Sequence, residues 1–234
     1  MAGYMKSMQS RFLILETSSR LGTVALSLGD AIVAEGTLDE SRRHARDLAP
    51  AIQGMLTRQG WRARELDGVI VSRGPGSYTG LRVGLMSAKM LAYVTGCTLL
   101  AIDTFEAVRQ QVAQDVQNVD VVADAQQDNI YVQRFGTHPE PLTIMPRAMW
   151  LESALAWRVA VTGPGLEVFA ERLPAELTLL PRETWLPRPA SLLQVGLARL
   201  AKGERDDLHA VEPLYLRASS AEEKWDKLHP QAPG

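Results

Sequence analysis

The residues whose types and spacing could do chemistry gather in one glycine-rich loop and at the ends of two apolar runs. VIVSRGPGSYTGLRVG, residues 69–84, joins the β-branched run Val69–Val71 to Gly74-Pro75-Gly76. Ser77, Tyr78, Thr79 and Gly80 follow, and then an apolar segment of helical character begins. Glycines let backbone N–H groups converge, and a helix N-terminus adds partial positive charge, so such a loop can cradle a phosphate. The same residues equally suit a strand-to-helix turn whose glycines only permit tight packing. Two familiar phosphate motifs are excluded. Lys89 lies nine residues beyond Gly80, too far for a Walker A loop. Gly74-x-Gly76-x-x-x-Gly80 is one residue too long for a dinucleotide fingerprint. Ser77 or Thr79 could cap the helix or bond a ligand.

Glu16 and Asp124 are the best acids. Each closes an apolar run, Phe12–Leu15 and Val119–Ala123, and strand ends are where α/β sheets place ligands. Either could instead be a surface or capping carboxylate. Ser18, Ser77 and Thr79 have no evident base nearby in sequence. The histidines, His44, His138, His209 and His229, include no pair at ligand spacing on one helix, so no histidine-built metal site is expected. Cys97 is the single cysteine, which excludes an internal disulfide and any zinc site needing two or more thiolates. Its apolar neighbours suggest a packed thiol. With 25 basic and 27 acidic residues the net charge is −2, without the basic excess of a chain that grips nucleic acid alone. No signal-peptide core and no membrane-length apolar run is visible, so a cytoplasmic protein is expected.

These groups need elements to hold them. Phe12–Leu15 reads as a strand. Val24, Leu26 and Leu28 alternate with Thr23, Ala25 and Ser27, a strand with one better-buried face. Gly29-Asp30 can turn a hairpin into Ala31–Gly36. Leu48, Ile52, Met55 and Leu56 sit at helical spacing within residues 44–59, and Gly60 is a plausible stop. A strand over Val69–Ser72, a helix over 80–95, a strand over Thr98–Ile102 and a helix over Thr104–Val116 complete a mixed α/β order. The pattern then begins again. Val119–Ala123 ends at Asp124, Ile130–Phe135 is a second strand, and VAVTGPG (159–165) echoes VIVSRGPG (69–76). The acid-to-glycine distance is 58 residues in the first half (16 to 74) and 39 in the second (124 to 163), a duplicated unit with a trimmed second copy. The expected division is 11–116, a smaller 117–218, and a polar, disordered tail over 219–234. Within 80–95 the only charges are Arg82 and Lys89, on one stripe with Met86 and Tyr93. A helix this apolar should be covered on a second side, by a domain or another chain. Gly80, Gly84, Ser87 and Ala88 would allow close approach.

GPGSYTGLRVGLMSAKMLA (74–92) resembles the long signature GPGSFTGLRIGxxxAKGLA of the bacterial tRNA threonylcarbamoyladenosine biosynthesis family TsaB, also called YeaZ. ILETSSRLGTVAL (14–26), His44-x-x-x-Leu48-x-Pro50-x-Ile52, VVADAQQDNIY (121–131), Gly163-x-Gly165 and Pro213-Leu-Tyr-Leu-Arg217 are similar to further segments of that family, over roughly residues 11–217. The resemblance implies the fold shared by actin, heat-shock chaperone ATPases and sugar kinases, two related RNase H-like α/β domains. In ATP-using members acid-bearing hairpins of both halves face the phosphates, and Glu16 and Asp124 fall there. A vestigial nucleotide cleft would then comprise Glu16, Thr17, Ser18, Asp124, Gly163 and Gly165. The chain departs from the family pattern at Glu16 (usually Asp), Gln126 (Arg), Asn129 (Glu), Asp103 (Ser) and Met90 (Gly).

The resemblance also implies a role. The catalytic relative TsaD binds a metal through His-x-x-x-His, and Thr104 and Val108 occupy those places here, so no metal and no catalytic residue is expected. The implied role is a non-catalytic subunit supporting TsaD, with the ATPase TsaE, in modifying the adenosine beside the anticodon of ANN-decoding tRNAs. The family motif would be Gly74, Pro75, Gly76, Ser77, Tyr78, Thr79, Gly80, Arg82, Gly84 and Lys89. The partner or dimer face would be Leu48, Ile52, Leu81, Leu85, Met86, Met90 and Tyr93, with a homodimer formed in isolation. No cofactor of its own is expected, with ATP or ADP binding left open. Contact with tRNA would run mainly through the complex. The rival readings are an ATP-dependent kinase-like enzyme using Glu16 and Asp124 around Mg²⁺ and, more distantly, a metallopeptidase.

Overall fold

The computed structural model describes residues 9–38 and 44–216. The tail over 219–234, most of the leader, and Arg217 lie outside the described residues. Two five-stranded sheets are present. In the first, β1 (Arg11–Glu16), β2 (Thr23–Leu28) and β3 (Ala31–Thr37) run antiparallel, and β4 (Gly68–Gly74) and β5 (Thr98–Asp103) add in parallel, in the order β3-β2-β1-β4-β5. In the second, β6 (Val119–Asp124), β7 (Asn129–Phe135) and β8 (Glu140–Pro146) form the meander, with β9 (Ala160–Thr162) and β10 (Thr178–Leu179) parallel, in the order β10-β9-β6-β7-β8. Strand for strand the second order repeats the first. This is the duplicated α/β architecture of the actin, chaperone ATPase and sugar kinase fold.

The helices are α1 (His44–Arg58), α2 (Tyr78–Thr95), α3 (Thr104–Gln110), α4 (Arg147–Trp157), α5 (Leu166–Phe169) and α6 (Pro189–Ala201). The trimming is concentrated at α5: four residues follow the second glycine pair, where α2 has eighteen. Leu48, Ile52, Met55 and Leu56 of α1 pack on Leu13, Leu15, Val69 and Val71 with Leu85, Ala88 and Ala92 of α2. Ser77 caps α2, its Oγ accepting from the Gly80 N–H at 3.3 Å, and Gly96 closes it in the left-handed region at φ 73°.

The halves exchange helices. Leu192 and Leu193 of α6, from the second half, pack on Phe12, Ile14, Ile70, Leu100 and Ile102 of the first sheet. Phe105 and Val108 of α3, from the first half, pack on Val121 and Ala123 of the second. The expected unit 117–218 is therefore corrected: residues 189–216 lie on the first sheet. The hydrogen bonds agree, with Ala101 N–H donating to Asp206 Oδ2 at 2.7 Å and Leu214 N–H to the Arg73 carbonyl at 2.7 Å. The exchange also explains why β2 is buried on both faces, Ala25 under α6 and Val24 and Leu26 under α1, rather than on one.

The helix expected over Thr104–Val116 stops at Gln110. Arg109 reaches past that end and donates to the carbonyls of Val112 and Val116, holding 111–116 in turns. Val112 and Val116 can then pack on Val119 and Ala160, which a continued helix would carry them away from.

In the second half one polar cluster is fully buried. Asp120 accepts from Arg134 Nε at 2.7 Å and Nη2 at 2.9 Å, and from Trp150 Nε1 at 3.0 Å. Arg134 Nη1 also donates to the half-exposed Glu140 Oε1 at 2.9 Å, so losing Asp120 leaves the buried guanidinium with that single partner and strands the Trp150 N–H. Asp120→Ala is therefore expected to cost about 3–5 kcal/mol, read as a shift of the urea midpoint. A loss below about 1 kcal/mol would mean that Arg134 finds water instead.

Candidate functional site

The glycine loop is filled by the protein's own chain. Ser77 N–H donates to the Ser18 carbonyl at 2.7 Å, and a Cβ on Gly76 would stand 2.5 Å from that same oxygen. On Gly80 it would fall on the Thr17 carbonyl oxygen, and on Gly84 on Thr17 Oγ1. The first two turns of α2, with Gly76 just ahead of them, thus lie directly against the turn that follows β1. Gly76, Gly80 and Gly84 sit four apart, one face of the helix start, so their shared purpose is this approach. Gly74 adopts φ +120°, a region that glycine alone enters freely.

Four N–H groups of the loop and the turn are bonded within the protein. Thr17 N–H donates to Ser72 Oγ at 3.1 Å, Ser18 N–H to Glu16 Oε1 at 2.8 Å, Ser77 N–H to the Ser18 carbonyl, and Gly80 N–H to Ser77 Oγ. Of the two readings of the loop, the packed turn is the one its geometry supports.

Glu16 is 1% exposed at the end of β1. Burial pushes its carboxyl above the ordinary value, and hydrogen bonds from the Ser18 hydroxyl and N–H partly offset that. It touches a cleft of about 440 Å³ between the two halves, lined also by Ser19, Thr23, Thr37, Glu167, Arg182 and Arg188. Asp124 is exposed, does not line that cleft, and accepts from the Gln126 N–H of its own turn at 2.8 Å. Gly163 and Gly165 repeat the packing logic of the first half: a Cβ on Gly163 would fall on the Val122 carbonyl, and Gly165 N–H donates to that carbonyl at 2.9 Å. So Glu16, Thr17 and Ser18 are brought to the glycine loop, while Asp124, Gly163 and Gly165 form a separate group at β6. Thr104 and Val108 are both fully buried, and Val108 offers no donor atom. Among the described residues no group of three or more His, Cys, Asp or Glu is placed to hold a metal ion.

The expected partner face divides in two. Leu48, Ile52, Leu81 and Leu85 are buried in the protein's own core and cannot meet a partner. Glycine contact with Thr17 turns the Leu81 and Leu85 side of α2 inward. Met86, Met90 and Tyr93 stand out at 59%, 62% and 71% exposure, joined by Val94 at 71%. Val94 was missed, although its place at i+8 from Met86 signals the same stripe. The two charges of α2 serve another purpose. Lys89 Nζ donates to the Val211 carbonyl at 3.0 Å, and Arg82 Nε to the Tyr215 hydroxyl at 2.8 Å. Arg82 also lies 4.1 Å from the Tyr78 ring centroid, and Tyr78 stacks on Tyr215 at 4.9 Å. The strap 206–216 is thereby fastened along α2. Cys97 is half-buried and packs on the first core, where burial raises its thiol pKa.

Two outcomes test this geometry. Gly80→Ala must push α2 off the Thr17 backbone, so a stability loss of about 1–3 kcal/mol is expected, read by urea unfolding; a neutral change would refute the close approach. For Glu16 the pH dependence has a definite sign. Below the ordinary value of 4.5 both folded and unfolded chains hold the proton. As pH rises through that value the unfolded chain ionises first, and stability is lost until the raised folded-state pKa is passed. Glu16→Gln removes that loss. The stability difference between Glu16→Gln and the parent should move in favour of Gln on going from pH 4.5 upward. Parallel curves would show an ionised Glu16.

Comparison with known proteins fits this arrangement. The family model described as TsaD, tRNA N6-adenosine threonylcarbamoyltransferase, matches residues 38–148. The tRNA threonylcarbamoyladenosine biosynthesis protein TsaB of Bacillus subtilis (strain 168) is 26% identical, over 91% of this chain and 96% of its own. Its namesake from Escherichia coli (strain K12) is 24% identical, over 93% and 98%. The solved structure of YeaZ from Pseudomonas aeruginosa superposes with a TM-score of 0.72 at 23% identity, covering 88% of this chain and all of that one. Along most of its length, the chain is similar to the TsaB (YeaZ) proteins, in sequence and in fold.

Proposed function

We propose that this chain is a non-catalytic subunit in tRNA threonylcarbamoyladenosine biosynthesis. It docks on a TsaD-type catalytic subunit and supports it, together with a TsaE-type ATPase, in threonylcarbamoyl transfer to the adenosine beside the anticodon of ANN-decoding tRNAs. The observation that carries this reading is the exposed row Met86, Met90, Tyr93 and Val94 on a helix whose other faces are packed. Four large apolar side chains on one helix face are costly to leave in water and suit a helix-to-helix contact. The named curated relatives supply the pathway. What supports a subunit without its own catalytic centre is that Glu16 is buried with its pKa raised, Asp124 serves its own turn, and Val108 has no ligand atom.

The net charge of −2 favours tRNA contacts made mainly by the partner. In isolation the same row favours a homodimer. No helix among the described residues is long and apolar enough to cross a membrane, in keeping with a cytoplasmic place of work.

The test is a modification assay with purified TsaD-type and TsaE-type proteins, ATP, threonylcarbamoyl-AMP and substrate tRNA, the modified nucleoside being read by mass spectrometry. Modification should depend on this chain; equal modification without it would overturn the reading. Met90→Glu should weaken partner binding and self-association at least about tenfold, about 1.4 kcal/mol, with an unchanged unfolding midpoint. Leu85→Glu, buried at 2% exposure, should unfold the protein instead.

A further inference from the structure

We propose that the cleft between α3, α6 and the C-terminal ends of β4 and β5 binds a zwitterion, an α-amino acid with an apolar side chain, its ammonium on Glu106 and its carboxylate on Lys202.

The cleft has a volume of about 570 Å³, within the range of small-molecule sites. It lies beyond Arg73 and Asp103, at the carboxyl ends of two parallel strands, where α/β sheets leave room for ligands. No residue lines both this cleft and the one beside Glu16.

Charge selects the class of ligand. Four basic and four acidic side chains line the cleft, so the lining is neutral in sum. A polyphosphate or a polyamine would meet as many like charges as opposite ones. A small ligand with one charge of each sign would not.

Most of the lining charges are already matched. Arg73 pairs with Asp103, and Arg199 pairs with Glu204 at 2.9 Å and Asp206 at 3.2 Å. Arg109 donates to the Val112 and Val116 carbonyls. Glu106 and Lys202 remain. Among the described residues neither side chain makes a hydrogen bond or an ion pair. Desolvation by the cleft walls and the charge of Asp103 hold the Glu106 carboxyl above its ordinary value, and Arg199 and Arg73 offset part of this. An ammonium on that carboxyl would offset the rest.

The helices bring the two groups together. Gln110 Nε2 donates to Gln194 Oε1 at 3.2 Å, which fixes where α3 passes α6. Arg199 Nη1 donates to the Ala101 carbonyl at 2.9 Å, just ahead of α3. Advancing along α6 therefore runs back along α3, and the helices pass antiparallel. Glu106, one turn before Gln110, comes level with Ala198, one turn after Gln194. Lys202 follows at the C-cap, about 6 Å further along the axis. Its flexible stem can adjust that spacing to the adjacent ammonium and carboxylate of an α-amino acid. Ala101, Phe135, Val195 and Ala198 supply the apolar wall for the ligand's side chain. This site does not depend on the function proposed above, and it can be measured in the full chain alone.

The probe is L-leucine, set against isoamylamine, which lacks the carboxylate, and isocaproate, which lacks the ammonium. Each is titrated into the isotope-labelled chain and followed by its amide resonances. Leucine should move the amides of 103–110 and 194–204 with a Kd below about 1 mM. Each single-charge analogue should bind at least about tenfold more weakly. Glu106→Gln and Lys202→Ala should each weaken leucine binding at least about tenfold with an unchanged unfolding midpoint, since both side chains face the cleft rather than the core. Arg205→Ala, exposed and outside the lining, should leave binding as it is. No amide movement at about 10 mM leucine would overturn the proposal. So would isoamylamine or isocaproate binding as tightly as leucine, undiminished binding in both cleft variants, or movement confined to the cleft beside Glu16.

Discussion

Close approach between α2 and the Thr17–Ser18 backbone is the constraint on which the first half depends. Gly76, Gly80 and Gly84 make it possible, and a side chain at any of them would meet main-chain or threonine atoms of the turn after β1. The contact fixes the rotation of α2 about its own axis. Once Gly80 and Gly84 face the turn, Leu81, Leu85, Ala88 and Ala92 must face the sheet and α1. Met86, Met90, Tyr93 and Val94 are then left outside. The N–H groups of Thr17, Ser18, Ser77 and Gly80 are held by Ser72, Glu16, Ser18 and Ser77, which joins the loop to the turn.

Helix exchange between the halves gives that joint a rigid base. α6 closes the back of the first sheet and α3 the back of the second, so neither half buries its core without the other. Beyond α6 the chain returns past the exposed edge of β5, where Asp206 and Arg199 occupy the Ala101 N–H and carbonyl. It then ties itself to α2 through Lys89 and Arg82. The two charges that made α2 look half-polar in sequence are therefore structural fastenings, and the exposed side of the helix is more apolar than composition suggests.

Much of the fold was legible because it is local. Strand runs ending in an acid, the Gly29-Asp30 hairpin and the second beginning near Val119 are all short-range patterns, and the repeated strand order follows from them. What was not legible depends on contacts distant in sequence. The choice between phosphate cradle and packed turn was decided by Thr17 and Ser18, nearly sixty residues before the loop. The early end of α3 was decided by Arg109 capturing carbonyls that a helix would have used internally. The place of 189–216 on the first sheet could not be read from a helix that is apolar in either setting. An all-round apolar pattern likewise names a helix to be covered but not the side: four of the seven residues expected at the partner face turned out to be core.

Rigidity is what connects this packing to recognition. Association loses free energy to the ordering of side chains and segments, and a surface already held in its bound form loses less. α2 is capped by Ser77, closed by Gly96, seated on Thr17 and clamped by Arg82 between Tyr78 and Tyr215. Its outward row is thus pre-set, and the residual freedom lies mainly in two methionine side chains. Methionine adapts to the surface it meets at low steric cost, so the row can accept related but different helices. A helix free to rotate could bury those four residues and would offer no stable face. Glycine packing denies it that choice.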